Sequence, residues 1–283
     1  MTADIPMTLM ERIAAALDRL APPPPVTADL TAFPGYIWEQ GALRPVETVD
    51  VIDLDLLVGL DAQRDRLLEN TRRFAAGLPA NNALLWGARG AGKSALVKAV
   101  HARVGGLALV ELHRDDLPSL PALLRLLKAS TRRFLLFCDD LSFDAGEAHY
   151  KALKSVLEGG IEGRPANCLF YATSNQRHLM PRLLIENDQR DAVNPRDMAD
   201  DKLALSDRFG LWLGFHALGQ EAYLAIVRGY AARFGLAVDA QALEAEALAW
   251  SVTRGARSGR VAWQFIQDLA GRLGVRLDDR KTP

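Results

Sequence analysis

The sequence has few of the features that mark secreted, membrane or disulfide-stabilised proteins. It contains two cysteines, Cys138 and Cys168, which is too few for a disulfide framework. Both lie in apolar stretches, where a free thiol usually behaves as a small buried hydrophobe. No apolar run approaches the ~20 residues that a membrane span requires, and the N-terminus lacks the basic start and small-residue cleavage site of a secretory signal. We therefore expect a cytoplasmic protein without a membrane partner.

Net charge is also nearly absent. The 34 basic and 35 acidic residues give a formal charge of -1, so no global field draws the protein onto phosphate backbones or anionic membranes. Nucleic-acid binding is therefore not indicated, although a charge sum near zero does not exclude a local basic patch. The chain has 283 residues, of which 49% are hydrophobic. This is enough for one sizeable core and a small second domain.

The pattern of apolar residues divides the chain into three parts. Residues 1–57 comprise a helix over Leu9 to Leu20, a proline-rich tether and an accessory arm without a clear assignment. Residues 58–217 begin with a helix over Asp61 to Ala76 and continue with strands that alternate with helices, which is typical of a parallel sheet covered on both faces. Residues 218–283 carry three amphipathic helices, which predict a separate helical domain. The predicted strands are Ala83 to Trp86, Leu107 to Leu112, Phe134 to Cys138, Cys168 to Thr173 and Leu211 to Phe215.

One segment matches the P-loop pattern in full, between an apolar strand and a helix predicted from Lys93 to Val104. Its glycines let backbone N–H groups converge on phosphates, and the helix N-terminus adds a partial positive charge. Lys93 supplies a cation for the outer phosphates, and the Ser94 hydroxyl supplies a ligand for Mg²⁺. The sequence therefore predicts a site for ATP and Mg²⁺. Its binding residues are Gly87, Ala88, Arg89, Gly90, Ala91, Gly92, Lys93, Ser94 and Ala95.

Two carboxylates follow the third predicted strand, where a P-loop protein needs them. Asp139 is the expected metal-side residue, and Asp140 is the expected general base for the attacking water. Two acids after a strand also occur where an ordinary helix begins, because aspartate is favoured at the N-cap. The P-loop upstream favours the catalytic interpretation.

Three further residues complete the predicted catalytic set, and each has an ordinary alternative. Asn175 follows the fourth strand, where it would orient the attacking water or contact the outer phosphate; a lone asparagine there is also a common turn former. Arg208 would reach the ATP of a neighbouring subunit, or it is a surface charge. Arg260 begins the last helix and would reach back to the nucleotide, or it belongs to a solvated basic turn. Their order along the chain favours the functional interpretation of all three.

Together these residues resemble an AAA+ ATPase over roughly residues 58–273. The resemblance implies an α/β fold, with a parallel-sheet P-loop core and a C-terminal three-helix lid. Within that class, four segments are similar to a bacterial group known as domain of unknown function 815. They are Phe137 to Phe143, Ala172 to Asn175, Leu205 to Leu211 and Arg257 to Arg260.

The resemblance also assigns roles to the candidate residues. It makes Lys93 and Ser94 part of Walker A, and it makes Asp139 and Asp140 Walker B. It further implies that Asn175 is sensor 1, Arg208 the arginine finger and Arg260 sensor 2.

Two departures from the common AAA+ pattern bear on activity. The second Walker B acid is Asp140 and not glutamate, so its carboxylate lies one methylene further from the water and we expect slow hydrolysis. The segment Glu111 to Pro118 lacks the aromatic and glycine residues of a polypeptide-threading loop, which argues against threading. The polar segment Glu186 to Lys202 is predicted to be mobile.

The resulting hypothesis is a nucleotide-driven machine or switch that forms homo-oligomers in the ATP state and acts on an unidentified protein client. One alternative is a nucleotide-gated binding module or scaffold with negligible hydrolysis. Another is a small-molecule kinase, against which the finger-like Arg208 argues.

Overall fold

The computed structural model describes residues 29–142, 164–176 and 208–277, together with six isolated residues at 12, 16, 153, 154, 156 and 157. Apart from two helical residues, Arg12 and Ala16, the predicted N-terminal helix lies outside this part of the chain. The proline tether and the segment Glu186 to Lys202 also lie outside it. Within the described residues, no helix combines the length and apolar character needed to cross a membrane.

Seven strands form one sheet. They are β1 (Gly35–Glu39), β2 (Ala42–Val46), β3 (Ala83–Gly87), β4 (Leu107–Leu112), β5 (Arg133–Cys138), β6 (Cys168–Ser174) and β7 (Leu211–Phe215). Their order across the sheet is β2-β1-β4-β5-β6-β3-β7. The β1–β2 hairpin is antiparallel, and every other neighbouring pair is parallel. The parallel sheet predicted from the alternating apolar runs is therefore confirmed.

Six α-helices have both of their ends within the described residues. They are α1 (Asp61–Ala75), α2 (Lys93–Val104), α3 (Leu120–Lys128), α4 (Gln220–Arg233), α5 (Ala240–Thr253) and α6 (Gly259–Arg272). The helix predicted from Lys93 to Val104 has these bounds, and the helix predicted from Asp61 ends one residue earlier.

The central strands are apolar on both sides because both faces of the sheet are covered. On β5, Phe134 and Leu136 belong to one core, and Leu135 and Phe137 belong to the other. This alternation explains why the strand reads as a continuous apolar run. Cys138 ends this run; its thiol is free and buried, and burial raises its pKa to about 12.

The β1–β2 hairpin lies in the segment for which the sequence predicts only an accessory arm. β1 pairs in parallel with β4, from Gly35 opposite Leu109 to Trp38 opposite Leu112. This arm thus contributes two strands to the core sheet, while the division of the chain into three parts stays a prediction.

Helices α4 to α6 follow β7 and pack around a third apolar core. Tyr223, Val227, Phe265 and Ile266 are buried at its centre. Val58, in the segment before α1, packs against the same core. The C-terminal three-helix lid is therefore present, and it contacts the core domain next to the P-loop.

Candidate nucleotide site

The P-loop connects the end of β3 to the start of α2 in a tight turn. Gly87 has φ 132°, and a Cβ there would lie 1.9 Å from the Phe215 carbonyl oxygen, so this position requires glycine. The Ala88 N–H donates to that same oxygen over 3.0 Å. Gly92, the residue before α2, has φ 92°. These two glycines allow the chain to turn back and present the N-terminus of α2.

Lys93, the first residue of α2, has its side chain directed back under the loop. Its Nζ donates to the Gly87 and Ala88 carbonyl oxygens, both over 2.8 Å, and to Asn175 Oδ1 over 3.1 Å. Burial lowers the pKa of Lys93, and the nearby carboxylates of Asp139 and Asp140 oppose that shift. An ammonium has three donors, so each one has a protein acceptor.

Ser94 and Asp139 come from α2 and from the end of β5. The Ser94 hydroxyl donates to Asp139 Oδ1 over 2.6 Å. Thr173 on β6 donates to the same carboxylate oxygen over 2.5 Å. Two hydroxyl groups therefore orient this carboxylate.

Asp140 adopts a left-handed backbone conformation, with φ 51°. Its N–H donates to Thr173 Oγ1 over 2.9 Å, and its Oδ1 accepts from Asn175 Nδ2 over 2.5 Å. Asn175 thus bridges Lys93 and Asp140. Five hydrogen bonds link these residues in a chain, from Ser94 through Asp139, Thr173, Asp140 and Asn175 to Lys93.

The lid contacts the other side of the P-loop. Gly259 N–H, at the start of α6, donates to the Gly90 carbonyl oxygen over 3.0 Å. A Cβ at Gly90 would lie 2.9 Å from Ser258 Oγ and 3.5 Å from the Cβ of Arg260. Arg260 is exposed and, with Arg89, lowers the pKa of Lys93. Three positive charges therefore lie close together around the P-loop.

A cavity of about 520 Å³ lies between the P-loop and the lid. Among the described residues, arginines, serines and small apolar residues line it, and no acid does. The lining residues are Ala88, Arg89, Ala91, Ala217, Leu218, Ser251, Val252, Gly255, Ala256, Arg257 and Ser258.

Arg208 is the predicted site residue that the fold keeps away from this cluster. It is exposed and precedes β7, and the next residue, Phe209, is buried in the core. The register pairs Leu211 with Ala83, the first residue of β3, so Arg208 lies at the amino end of the strands. The P-loop lies at their carboxyl end. Arg208 and the P-loop therefore lie at opposite ends of the strands.

The residues that converge fit a magnesium nucleotide. Clustered cations and a glycine-rich helix N-terminus suit phosphates. A hydroxyl and one carboxylate suit Mg²⁺, which usually keeps several waters and takes few protein ligands.

Thr173 and the Ser258–Gly259 pair were not singled out from the sequence. Thr173 reads as one more residue of a buried strand, and its contact with Asp139 depends on the register between β5 and β6. Ser258 and Gly259 carry the signal of a helix N-cap, which says nothing about contact with a distant loop.

Comparisons with known proteins identify the family and the fold of this chain. No match was found among curated protein sequences. The structure of Aeropyrum pernix ORC1 in complex with DNA is 16% identical, with a TM-score of 0.55, over 81% of this chain and 63% of that chain. Thermotoga maritima RuvB, a Holliday junction branch migration motor, is 13% identical, with a TM-score of 0.46, over 81% of this chain and 86% of that chain. The likeness to ORC1 supports the AAA+ fold. A family model described as "Protein of unknown function (DUF815)" matches residues 31–273, so the chain belongs to the DUF815 family and has the fold of an AAA+ P-loop ATPase.

Proposed function

We propose that this protein binds Mg-ATP, hydrolyses it slowly and acts as a nucleotide-driven conformational switch on a protein client. The observation that carries the proposal is the chain of hydrogen bonds at the carboxyl ends of β3, β5 and β6. It brings together the cation, the hydroxyl, the two carboxylates and the amide that ATP hydrolysis requires.

In this proposal the P-loop binds the phosphates. Lys93, Arg89 and Arg260 supply positive charge, and the backbone N–H groups of the loop supply donors. Ser94 and Asp139 would hold Mg²⁺, which neutralises charge on the phosphate oxygens when bound. The cavity beside the loop has a volume in the usual range of ligand pockets. We assign it to the nucleoside.

Asp140 and Asn175 are proposed to act on the attacking water. A carboxylate within hydrogen-bond reach of that water can accept its proton, and the Asn175 amide fixes the carboxylate. Aspartate reaches less far than glutamate, so we expect slow turnover.

The lid would report the state of the P-loop to the rest of the molecule. Gly259 and Gly90 form a direct backbone contact between them, so a change in the loop on ATP binding alters lid packing. We propose that ATP binding closes the lid and favours a homo-oligomer, and that hydrolysis reverses both changes. We assign the protein to the cytoplasm and do not propose nucleic acid as its target.

A nucleotide-gated scaffold with negligible hydrolysis is the second candidate. The bond from Asn175 to Asp140 favours it, because a carboxylate held by this amide has one oxygen already engaged. In that function ATP binding alone would set the lid and the partner surface.

Nucleotide affinity and steady-state ATP hydrolysis test the proposal together. Lys93→Ala should lower the affinity for a fluorescent ATP analogue at least about tenfold, since it removes a charge-assisted contact from a buried site. Asp140→Asn should bind ATP but lose turnover by roughly 100-fold or more, the usual contribution of a general base. Lys98→Ala is the matched control, because Lys98 lies on the same helix and pairs with Glu111 on the surface.

Each outcome separates the candidates. Unchanged nucleotide affinity in Lys93→Ala contradicts the P-loop assignment. A wild-type protein that binds Mg-ATP tightly without measurable hydrolysis supports the scaffold in place of the ATPase.

A further inference from the structure

Thr173 lies between the two aspartates of the candidate site and contacts both. It is buried on β6, which separates β5 from β3 in the sheet. Its hydroxyl donates to Asp139 Oδ1 over 2.5 Å and accepts from Asp140 N–H over 2.9 Å. A hydroxyl has one proton, and a backbone N–H can only donate. The proton of Thr173 is therefore committed to the Asp139 carboxylate.

The same residue also holds the turn that follows β5. The Thr173 carbonyl oxygen accepts from Leu141 N–H over 2.7 Å, so Thr173 contacts three consecutive residues of this turn. Asp140 lies in the middle with φ 51°, a left-handed conformation that is uncommon outside glycine but that aspartate adopts more readily than most residues. Thr173 stabilises that conformation, and the conformation brings the Asp140 carboxylate to Asn175.

We propose that Thr173 is a positioning residue for Mg-ATP hydrolysis, an inference that rests on the proposed function. Through Asp139 it orients the carboxylate that shares Mg²⁺ with Ser94. Through the backbone of Asp140 it fixes the carboxylate that faces the attacking water. One buried hydroxyl thus keeps the metal-side and water-side carboxylates in separate roles.

A second buried threonine provides a control that distinguishes this role from a purely structural one. Thr71 on α1 is also fully buried, and its hydroxyl bonds to the Leu67 carbonyl oxygen over 2.7 Å and to the Tyr171 hydroxyl over 2.8 Å. Neither partner belongs to the nucleotide site. Replacing either threonine by valine keeps the side-chain shape and removes one buried hydroxyl. Thr71→Val is therefore the matched control for Thr173→Val.

The experiment uses the full chain and two readouts. The first is the ratio of the dissociation constants of a fluorescent ATP analogue in excess EDTA and in excess MgCl₂. The second is ATP turnover across a range of MgCl₂ concentrations. Residues that orient a metal ligand usually matter by roughly 10- to 100-fold in metal affinity or activity, so Thr173→Val should lower both the ratio and the turnover at least about tenfold. Thr71→Val and Thr173→Ser should keep the wild-type values.

Folding is checked by thermal unfolding of each variant. If Thr173→Val does not fold, Thr173→Ser and Thr173→Ala form the comparison, because they differ by one hydroxyl group. A folded Thr173→Val, or a folded Thr173→Ala, with wild-type magnesium dependence overturns the assignment and leaves the proposed function intact. A wild-type protein whose nucleotide affinity and turnover do not respond to MgCl₂ overturns both.

Discussion

Buried polar side chains between α1 and the sheet form hydrogen bonds with one another. Asn70 and Thr71 of α1 both bond to the Tyr171 hydroxyl of β6, and Asn70 also pairs with the backbone of Asn81. Burial raises the pKa of Tyr171 to about 12, so this hydroxyl stays neutral. This network holds α1 against the sheet, because separating them would leave buried polar groups unpaired. An unpaired buried polar group destabilises the fold by more than one hydrogen bond stabilises it.

His101 lies outside this network, and its burial predicts that the stability of the fold depends on pH. It is buried on α2, with Nε2 bonded to the Leu107 carbonyl oxygen, and within the described residues its Nδ1 has no partner. Burial, assisted by Arg132, lowers the pKa of His101 below 6.5. The folded state thus favours the neutral ring, while the unfolded chain takes up a proton below about pH 6.5. This contribution to stability is present above that pH and is lost as the pH falls.

Urea unfolding at pH 7.5 and pH 5.5 measures the effect. The free energy of unfolding of the wild type should fall more between these two pH values than that of His101→Gln, because only the wild type can take up a proton at this position on unfolding. His113→Gln is the control, because His113 is exposed and pairs with Asp115 on the surface. Equal pH dependence of the wild type and His101→Gln would show that His101 has the same pKa in the folded and unfolded states.

Residue types and spacing were enough to nominate most of the candidate site. Each of Lys93, Ser94, Asp139, Asp140 and Asn175 lies at the end of a predicted strand or the start of a predicted helix, so parallel strands bring them to one edge. The contacts of Asp139 and Asp140 with Thr173 could not be predicted, because they depend on which strand lies beside β5.

At the scale of elements, the bounds of strands and helices along the chain were easier to predict than which strands lie side by side in the sheet. Apolar runs gave β4 and β7 their observed bounds, because buried strands carry apolar residues on both faces. The β1–β2 hairpin was not predicted, since Arg44 and Pro45 interrupt the apolar pattern of β2. Its pairing with β4 joins residues far apart in sequence, and no local signal encodes it.

Residues 208–210 form a short arm directly before β7, and the position of this arm depends on one glycine. Phe209 anchors it, with its ring centroid 6.2 Å from that of Phe170. A Cβ at Gly210 would lie 2.5 Å from Asn81 Oδ1. The Asn81 Cβ, which would lie 3.0 Å from the new methyl group, cannot retreat easily because Asn70 bonds to the N–H and the carbonyl oxygen of Asn81. Gly210 therefore fixes the direction in which the arm presents Arg208.

Gly210→Ala should displace this arm and lower ATP turnover without changing nucleotide affinity. Since a phosphate-directed arginine contributes about 10³–10⁵ to turnover, a displaced one should cost at least about tenfold. Gly271→Ala is the control, because no atom lies within 4 Å of a Cβ at that position. Steady-state ATPase assays and thermal unfolding measure both variants. Full activity in Gly210→Ala would show that the arm tolerates the shift or has no part in hydrolysis.

At the scale of the whole molecule, the two ends of the sheet carry different parts of the proposed reaction. The P-loop lies at the carboxyl ends of the strands, and Arg208 is exposed at the amino end of an edge strand. One chain therefore does not bring its own Arg208 to its own nucleotide. A second copy, placed with its β7 side toward the first P-loop, would supply the missing arginine. This is the geometry in which a homo-oligomer completes each site at a subunit boundary.

Mixing two inactive variants tests whether the site is shared in this way. Arg208→Ala should bind ATP but hydrolyse it poorly, because a guanidinium offers permanent charge and a planar set of donors to the transferring phosphoryl group. Lys93→Ala should fail to bind ATP but still carry an intact Arg208. In mixed oligomers, the Arg208 of a Lys93→Ala subunit can serve the P-loop of an Arg208→Ala neighbour. ATPase activity of the mixture should then rise well above that of either variant alone.

The control mixture combines Arg208→Ala with a protein that carries both substitutions, which has no arginine to supply, and its activity should not rise. Association is measured in parallel by light scattering with and without Mg-ATP, since recovery requires contact between copies. Full activity of Arg208→Ala alone would place Arg208 among the ordinary surface charges. A protein that stays monomeric with Mg-ATP at every concentration would exclude a shared site. Either result would make the nucleotide-gated scaffold the better account, because that function needs the P-loop and the lid of one chain and no arginine from another.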